Sequence, residues 1–150
     1  MVYGADLFKD KIKDEKRSRG LSWKRITEGI GPGSPVLYTA ALVGQMTLTK
    51  SEAENAAKLL GLSEAEAAIL TESPNRGSLT TLPPADPLIY RFYEPVQTYG
   101  TTWKALIEEE FGDGIMSAID FTMDIERVAD PHGDRVKVTY SGKFLPYKTY

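Results

Sequence analysis

Cysteine is absent from this 150-residue chain, and histidine occurs only once, at His132. Without cysteine, the chain has no disulfide bond, thiolate zinc site, iron–sulfur cluster or cysteine nucleophile. A single histidine excludes a multi-histidine metal site within one chain and argues against a serine–histidine triad. These absences remove several large classes of metalloprotein and hydrolase.

Long apolar runs are also missing, since none approaches the roughly 20 residues that span a bilayer. The first residues lack the basic start and apolar core of a signal peptide. The net charge of −3 gives no general attraction for nucleic acid, while 41% hydrophobic and 26% charged residues are ordinary values for a globular chain. We therefore expect a soluble cytoplasmic protein with no membrane association.

Capping residues and glycines divide residues 1–72 into five predicted short helices. Their predicted limits are near Tyr3 to Arg19, Ser22 to Gly29, Ser34-Pro35 to Gly44, Thr49 or Ser51 to Gly61, and a last helix from Ser63, which forms a capping box with Glu66. This compact bundle with a central helix–turn–helix resembles the phage-repressor type of DNA-binding domain.

The features required for DNA recognition are weak in this bundle. The candidate recognition helix, residues 34–43, contains no Arg, Lys, Asn or Gln to contact base edges. The segment from Lys9 to Arg25 holds eight basic residues against three acids, but residues 1–72 balance at ten of each sign. A solvated helical face is the favoured interpretation, and a DNA-binding regulator is the alternative.

Residues 73–86, rich in Pro, Ser, Thr and Gly, are predicted to link the bundle to a second domain at 87–150. Asp86-Pro87 starts a helix in which Pro95 predicts a kink or restart, and Thr101 or Thr102 caps a further helix through Phe111.

Beyond Gly114, apolar and polar residues alternate from Ile119 to Glu126 and again from Val136 to Tyr140, on either side of the turn at 130–134. This pattern predicts a β-hairpin, and the chain as a whole is predicted to be α+β. Two strands alone are marginal in water, so we expect the hairpin to complete an intersubunit sheet.

Candidate functional residues lie at the start of the second domain. Arg91 and Glu94 are three residues apart on a predicted helix, which places both head groups on one face. Tyr90, Phe92, Tyr93 and Tyr99 surround them and favour burial, although a surface ion pair with this spacing is common.

Ser117 follows a glycine-flanked segment and shares a strand phase with Ile115 and Ile119, which predicts a buried position. Core filler is one interpretation of this serine. The other is a site in which one guanidinium, one carboxylate and one hydroxyl bind a small anionic substrate.

Several segments, taken together, resemble the cyanase family, also called cyanate hydratase or cyanate lyase. They are Thr39–Leu42 with Gly44-Gln45, Tyr90–Glu94, Tyr99–Thr102, Lys104–Ile107, Phe111–Ile115, Ser117–Ile119 and Gly142–Pro146. The resemblance covers nearly the whole chain and is densest from about 87 to 121. Pro95, directly after the glutamate, departs from the family pattern.

The resemblance implies a lyase whose catalytic arginine, glutamate and serine fall on Arg91, Glu94 and Ser117. It implies bicarbonate-dependent decomposition of cyanate to ammonia and carbon dioxide through carbamate, with no metal or other cofactor. It also implies a homodecamer, built as a pentamer of dimers, with active sites between subunits and no nucleic-acid partner.

Two other functions remain open from the residues alone. One is the helix–turn–helix regulator, and the other is an assembly protein whose C-terminal hairpin serves only to oligomerise.

Overall fold

The computed structural model describes residues 5–148, in which six helices precede two strands. The elements are α1 (Ala5–Ser18), α2 (Trp23–Ile30), α3 (Pro35–Leu42), α4 (Lys50–Leu60), α5 (Glu64–Ile69), α6 (Pro87–Phe111), β1 (Gly114–Val128) and β2 (Arg135–Pro146). The strands pair as a two-stranded antiparallel sheet, which confirms the predicted α+β class. Two compact units are distinguished, Met1–Gly77 with Met123–Thr139, and Ser78–Thr122 with Tyr140–Tyr150, and each is described by itself.

The starts of the short helices follow the capping chemistry of the sequence. Ser22, Ser34, Thr49 and Ser63 each accept a hydrogen bond from the backbone amide three residues on, and the last two form complete capping boxes. Thr49, not Ser51, therefore begins α4. The predicted end of α2 at Gly29 is wrong, because Gly29 lies within the helix and Gly31 follows it. The predicted start of the first helix, near Tyr3, lies outside the described residues.

Apolar residues at helical spacing build the core beneath these helices. Phe8 and Ile12 of α1, Ile26 and Ile30 of α2, and Ala53, Ala56 and Leu60 of α4 are all buried. They join Tyr38, Ala41, Leu42, Leu48 and Leu70 in a single cluster. Spacings of three and four residues place the apolar side chains of each helix on one face, which accounts for the shared core.

The long helix α6 contradicts the predicted restart at Pro95, while the predicted kink stays a prediction. It runs unbroken for 25 residues, so Thr101 and Thr102 lie inside it and do not cap a new helix. Asp86 caps its start by accepting hydrogen bonds from the amides of Leu88 and Ile89. Proline removes the hydrogen bond to the carbonyl of Arg91, and because Arg91 is exposed, water can satisfy that carbonyl and the helix continues.

No helix or strand is assigned between α5 and α6, where the sequence predicted a linker. The predicted boundaries at 72 and 87 stay a prediction. In the described part of the chain, no helix is both long and apolar enough to cross a membrane.

The hairpin strands differ in length, with 15 residues in β1 and 12 in β2. Both strands extend further than the sequence predicted. The surplus in β1 means that some of its residues have no direct partner in β2. A β-bulge accommodates such residues and bends the strand locally.

A buried carboxylate ties α1 to the start of α5. Glu66 is buried, accepts a hydrogen bond from the backbone amide of Ser63 at 2.8 Å, and forms an ion pair with Lys11. The hydrogen bond from Lys11, followed by that from the Ser63 amide, lowers the pKa of Glu66. A lowered pKa in the folded state means that ionised Glu66 stabilises the fold.

We predict that Glu66→Gln lowers the free energy of unfolding at pH 7 by about 1–3 kcal/mol, the scale of a hydrogen bond to a charged group. The loss should be fully present above about pH 4.3, the ordinary pKa of glutamate, and disappear as pH falls through the lower folded-state pKa. Urea unfolding of the full chain at fixed protein concentration measures it. Exposed Glu64→Gln in the same helix is the control. A difference between Glu66→Gln and wild type that does not change with pH would contradict the assignment.

Candidate active site

Arg91 and Glu94 lie on the first half of α6 and form an ion pair. Nη1 of Arg91 is 3.4 Å from Oε2 of Glu94, as the i, i+3 spacing predicts. The side chains are 66% and 51% exposed, so the expected burial is wrong for this single chain. A pair this long and this exposed adds little stability, which leaves both groups available to bind something else.

Aromatic rings accompany the pair without covering it. The guanidinium carbon of Arg91 is 5.9 Å from the ring centroid of Tyr90, and the rings of Tyr90 and Tyr93 are 6.0 Å apart. Phe92 and Tyr99 are exposed. The aromatic rings therefore lie near the guanidinium and leave it exposed.

Ser117 lies in β1 and is buried, with 4% of its surface exposed. Its strand neighbours in the same predicted phase are not buried, since Ile115 is 47% and Ile119 98% exposed. The prediction of burial is thus right for Ser117 and wrong for the two isoleucines.

The hydroxyl of Ser117 accepts two backbone hydrogen bonds, from the amide of Ile119 at 3.0 Å and from that of Asp120 at 2.9 Å. Consecutive amides of a regular strand point to opposite sides. One oxygen receiving both therefore means that the strand is bent here, in agreement with the surplus residues of β1. These two hydrogen bonds to Ser117 were not predicted from the sequence. Their only signal was a serine followed, three residues later, by an aspartate, and this pattern also begins helices and turns.

The two accepted bonds determine what the hydroxyl can still do. A serine oxygen has two lone pairs and one proton. Because both lone pairs are engaged, the hydroxyl can only donate a further hydrogen bond. Within residues 5–148, its proton makes no hydrogen bond. Ser117 is thus arranged as a hydrogen-bond donor.

The structure brings Arg91 and Glu94 together but does not join them to Ser117. No hydrogen bond or ion pair connects the serine to either residue in the described part of the chain. Together the three supply planar cationic donors, a carboxylate and an oriented hydroxyl, a set suited to small anions. A complete site requires the groups to be brought together.

An apolar stripe runs along the same helix. Its members recur every three or four residues and are all exposed: Leu88, Phe92, Val96, Tyr99, Trp103 and Leu106. No residue of α6 is buried. The hairpin adds exposed Ile125, Val136, Tyr140 and Leu145. An exposed apolar stripe along one helix face marks an interaction surface.

Side chains suited to metal or DNA binding are not gathered in this way. Among residues 5–148, no group of three or more His, Cys, Asp and Glu side chains is placed to hold a metal ion. Within the basic segment, acidic partners engage Lys9, Lys11, Arg17 and Arg19. Half of the eight basic residues therefore have an acidic partner, and DNA binding stays the alternative interpretation.

Comparison with known proteins covers both halves of the chain. The family model described as "Cyanate hydratase, N-terminal" matches residues 7–74, and the one described as "Cyanate lyase C-terminal domain" matches residues 81–149.

Relatives named cyanate hydratase align over almost the whole chain. That of Ralstonia pickettii is 58% identical over 91% of this chain and 92% of its own length. That of Dechloromonas aromatica is 56% identical over 94% and 95%. The crystal structure of cyanase from T. urticae has a TM-score of 0.81 at 37% identity and covers 93% of this chain and 96% of its own. On this identity and coverage, the chain belongs to the cyanate hydratase, or cyanate lyase, family.

Proposed function

We propose that this chain, a lyase of the cyanate hydratase family, decomposes cyanate with bicarbonate as co-substrate. Bicarbonate attacks the cyanate carbon, the adduct loses carbon dioxide to leave carbamate, and carbamate releases ammonia and a second carbon dioxide. Cyanate, bicarbonate and two protons are consumed. The observation that carries the proposal is the 58% identity to a cyanate hydratase over 91% of the chain.

Arg91 is assigned the binding of anionic substrate. Both substrates are small anions, so their affinity depends on positive charge and on directed donors. The guanidinium presents planar donors that match carboxylate-like oxygens, and its exposed, long contact with Glu94 leaves donors free for a ligand.

Ser117 is assigned the donation of one hydrogen bond to a substrate oxygen. Its oxygen is held by the amides of Ile119 and Asp120, so the hydroxyl orientation is established before substrate arrives. A donor aimed in advance costs no reorganisation during the reaction and stabilises charge that develops in the transition state.

Glu94 has a different task, because an ionised carboxylate repels anions. We assign it the orientation of Arg91, from which it accepts a hydrogen bond. Because bicarbonate is the nucleophile, the chain needs to supply none of its own. Catalysis then rests on positioning and charge stabilisation, with no metal or other cofactor.

Assembly is the second part of the proposal. The apolar stripe on α6 and the exposed hairpin residues require a covering surface, which a second copy of the chain supplies. We propose a homodecamer, a pentamer of dimers, in which Arg91 and Glu94 of one subunit meet Ser117 of another. Among the described residues of one chain, Ser117 makes no hydrogen bond to Arg91 or Glu94, which supports a site shared between subunits.

The first prediction concerns the reaction. Purified chain should release ammonia from cyanate when bicarbonate is present and lose that activity when bicarbonate is removed. Exhaustive dialysis against a chelator should leave the rate unchanged, because the proposed chemistry uses no metal. Ammonia is measured against the Arg91→Ala chain as background. Activity lost in chelator and restored by a divalent ion would reject the metal-free mechanism.

A second prediction concerns the three site residues. Arg91→Ala should nearly abolish turnover, and Arg91→Lys should not restore it fully, because a lysine lacks the planar pair of donors. Ser117→Ala should lose about 2–4 kcal/mol of transition-state stabilisation, the scale of one oriented donor. Glu94→Gln should keep the assembly and lose rate.

Steady-state kcat and KM, with light scattering to verify assembly, measure these effects. Arg127→Ala is the matched control, since Arg127 is also an exposed guanidinium paired with a carboxylate, that of Asp134 at 2.8 Å. Near wild-type turnover in Arg91→Ala or Ser117→Ala would remove that residue from the site.

A third prediction follows from the shared site. Arg91→Ala and Ser117→Ala chains, each strongly impaired alone, should regain part of the activity when they are unfolded and refolded together, because some mixed interfaces carry both intact groups. Activity should also fall in parallel with the particle size when denaturant dissociates the assembly. A fully active monomer, or hybrid oligomers without activity, would contradict the shared site.

A further inference from the structure

Gly142 of β2 packs against the backbone of Ser117. A Cβ atom at position 142 would lie closer than 3.0 Å to both the carbonyl oxygen of Ser117 and Cγ of Met116, a separation that real Cβ atoms essentially never show. Met116 has a flexible side chain that can move aside. The carbonyl of Ser117 is backbone, so it can move only if β1 moves with it.

Glycine is required at position 142 because a side chain has no room there, not because of the backbone conformation. Gly142 is not among the glycines with positive φ, so its backbone suits any residue. The required feature is the missing side chain, which lets β2 approach β1 where Ser117 lies. Close approach of two backbones is one of the recognised uses of glycine within a strand.

The same stretch of β1 holds the serine hydroxyl. The amides of Ile119 and Asp120 reach Ser117 Oγ only because the strand is bent, and their hydrogen bonds are 3.0 and 2.9 Å long. Displacing the Ser117 backbone by several tenths of an ångström changes both bonds and the direction in which the hydroxyl donates. Hydrogen bonds weaken steeply with such changes in geometry.

We propose that Gly142 is a positioning residue for the reaction: its bare Cα lets β2 hold the bend of β1 in which Ser117 is a directed donor. The inference rests on the proposed role of Ser117 and deepens it. It adds a residue that touches no substrate and acts through the serine backbone.

Gly114 provides a control from the same hairpin. A Cβ atom there would also crowd backbone, at the Leu145 carbonyl and at Pro146 Cα, 2.9 Å away, and would meet the ring of Phe144. These contacts lie at the start of β1 and do not include Ser117. Gly114→Ala therefore disturbs the pairing of the strands without pressing on the serine.

The test is a double-mutant cycle in the full-length assembled protein, with kcat and KM measured for cyanate. Gly142→Ala should lower kcat about tenfold to a hundredfold, the effect of a misplaced catalytic group, with a much smaller change in KM. In a Ser117→Ala background the same substitution should change the residual kcat little, because the donor it positions is already gone. Gly114→Ala should lower the resistance to urea while the assembled particle keeps a kcat close to wild type.

Three results would overturn the inference. The first is a wild-type kcat in Gly142→Ala. The second is an equal fold-loss of kcat when Gly142→Ala is made in the Ser117→Ala background. The third is full rescue of Gly142→Ala by Met116→Ala, which would show that the added methyl group crowds the methionine and not the Ser117 backbone. If wild type has no activity or Ser117→Ala is fully active, the proposed function itself fails, and the two failures are thus distinguishable.

If Gly142→Ala does not assemble alone, its chains are refolded with an excess of Ser117→Ala chains. The intact serine hydroxyls of such hybrids then come only from the Gly142→Ala chains. Activity well below that of matched hybrids made with wild-type chains supports positioning. Equal activity, or exclusion of the Gly142→Ala chains from the hybrids, overturns it.

Discussion

Burial of the apolar stripe on α6 is the constraint on which the second half of the molecule depends. A helix of 25 residues with no buried side chain, followed by a hairpin with several exposed aliphatic residues, holds too little internal core to be stable in isolation. The same helix carries Arg91 and Glu94, and the same hairpin carries Ser117. In the proposed assembly, the contacts that cover this stripe would also bring Arg91 and Glu94 to Ser117.

The helical half of the chain is stabilised differently, by contacts within itself. Its core is complete within one chain, and its polar groups are directed at its own structure: Ser63 and Glu66 cap α5, and Lys11 neutralises Glu66. Among the described residues of this half, no buried polar side-chain atom lacks a hydrogen-bond partner. A repressor-like arrangement of helices is thus compatible with a chain whose chemistry lies elsewhere, because the fold follows from core spacing and caps whereas recognition depends on exposed side chains.

Local chemistry was predictable from the sequence, and long-range packing was not. Four N-caps, the hairpin turn and the Arg91–Glu94 pair each depend on residues within a few positions of one another. The continuity of α6 through Pro95 was not predicted, because a rule that considers proline alone ignores the helical hydrogen bonds made by the residues before and after it. The burial of Ser117 was predicted, but the exposure of Ile115 and Ile119 was missed, because a two-residue alternation assumes a regular strand. Bending of β1 changes which side chains face inward. The roles of the three site residues stay a prediction.

The donor state of Ser117 also bears on how products leave. Its oxygen is occupied by two amides, so the hydroxyl offers nothing to a group that itself must donate. In the proposed site, cyanate and bicarbonate would arrive with lone pairs and accept hydrogen bonds from Ser117 and Arg91. Ammonium has only donors to offer, so neither the Ser117 hydroxyl nor the Arg91 guanidinium would accept a hydrogen bond from it. Within the proposed site, these two donors would therefore hold the incoming anions and not the ammonium product, and Glu94 is the one group of the three that could attract ammonium.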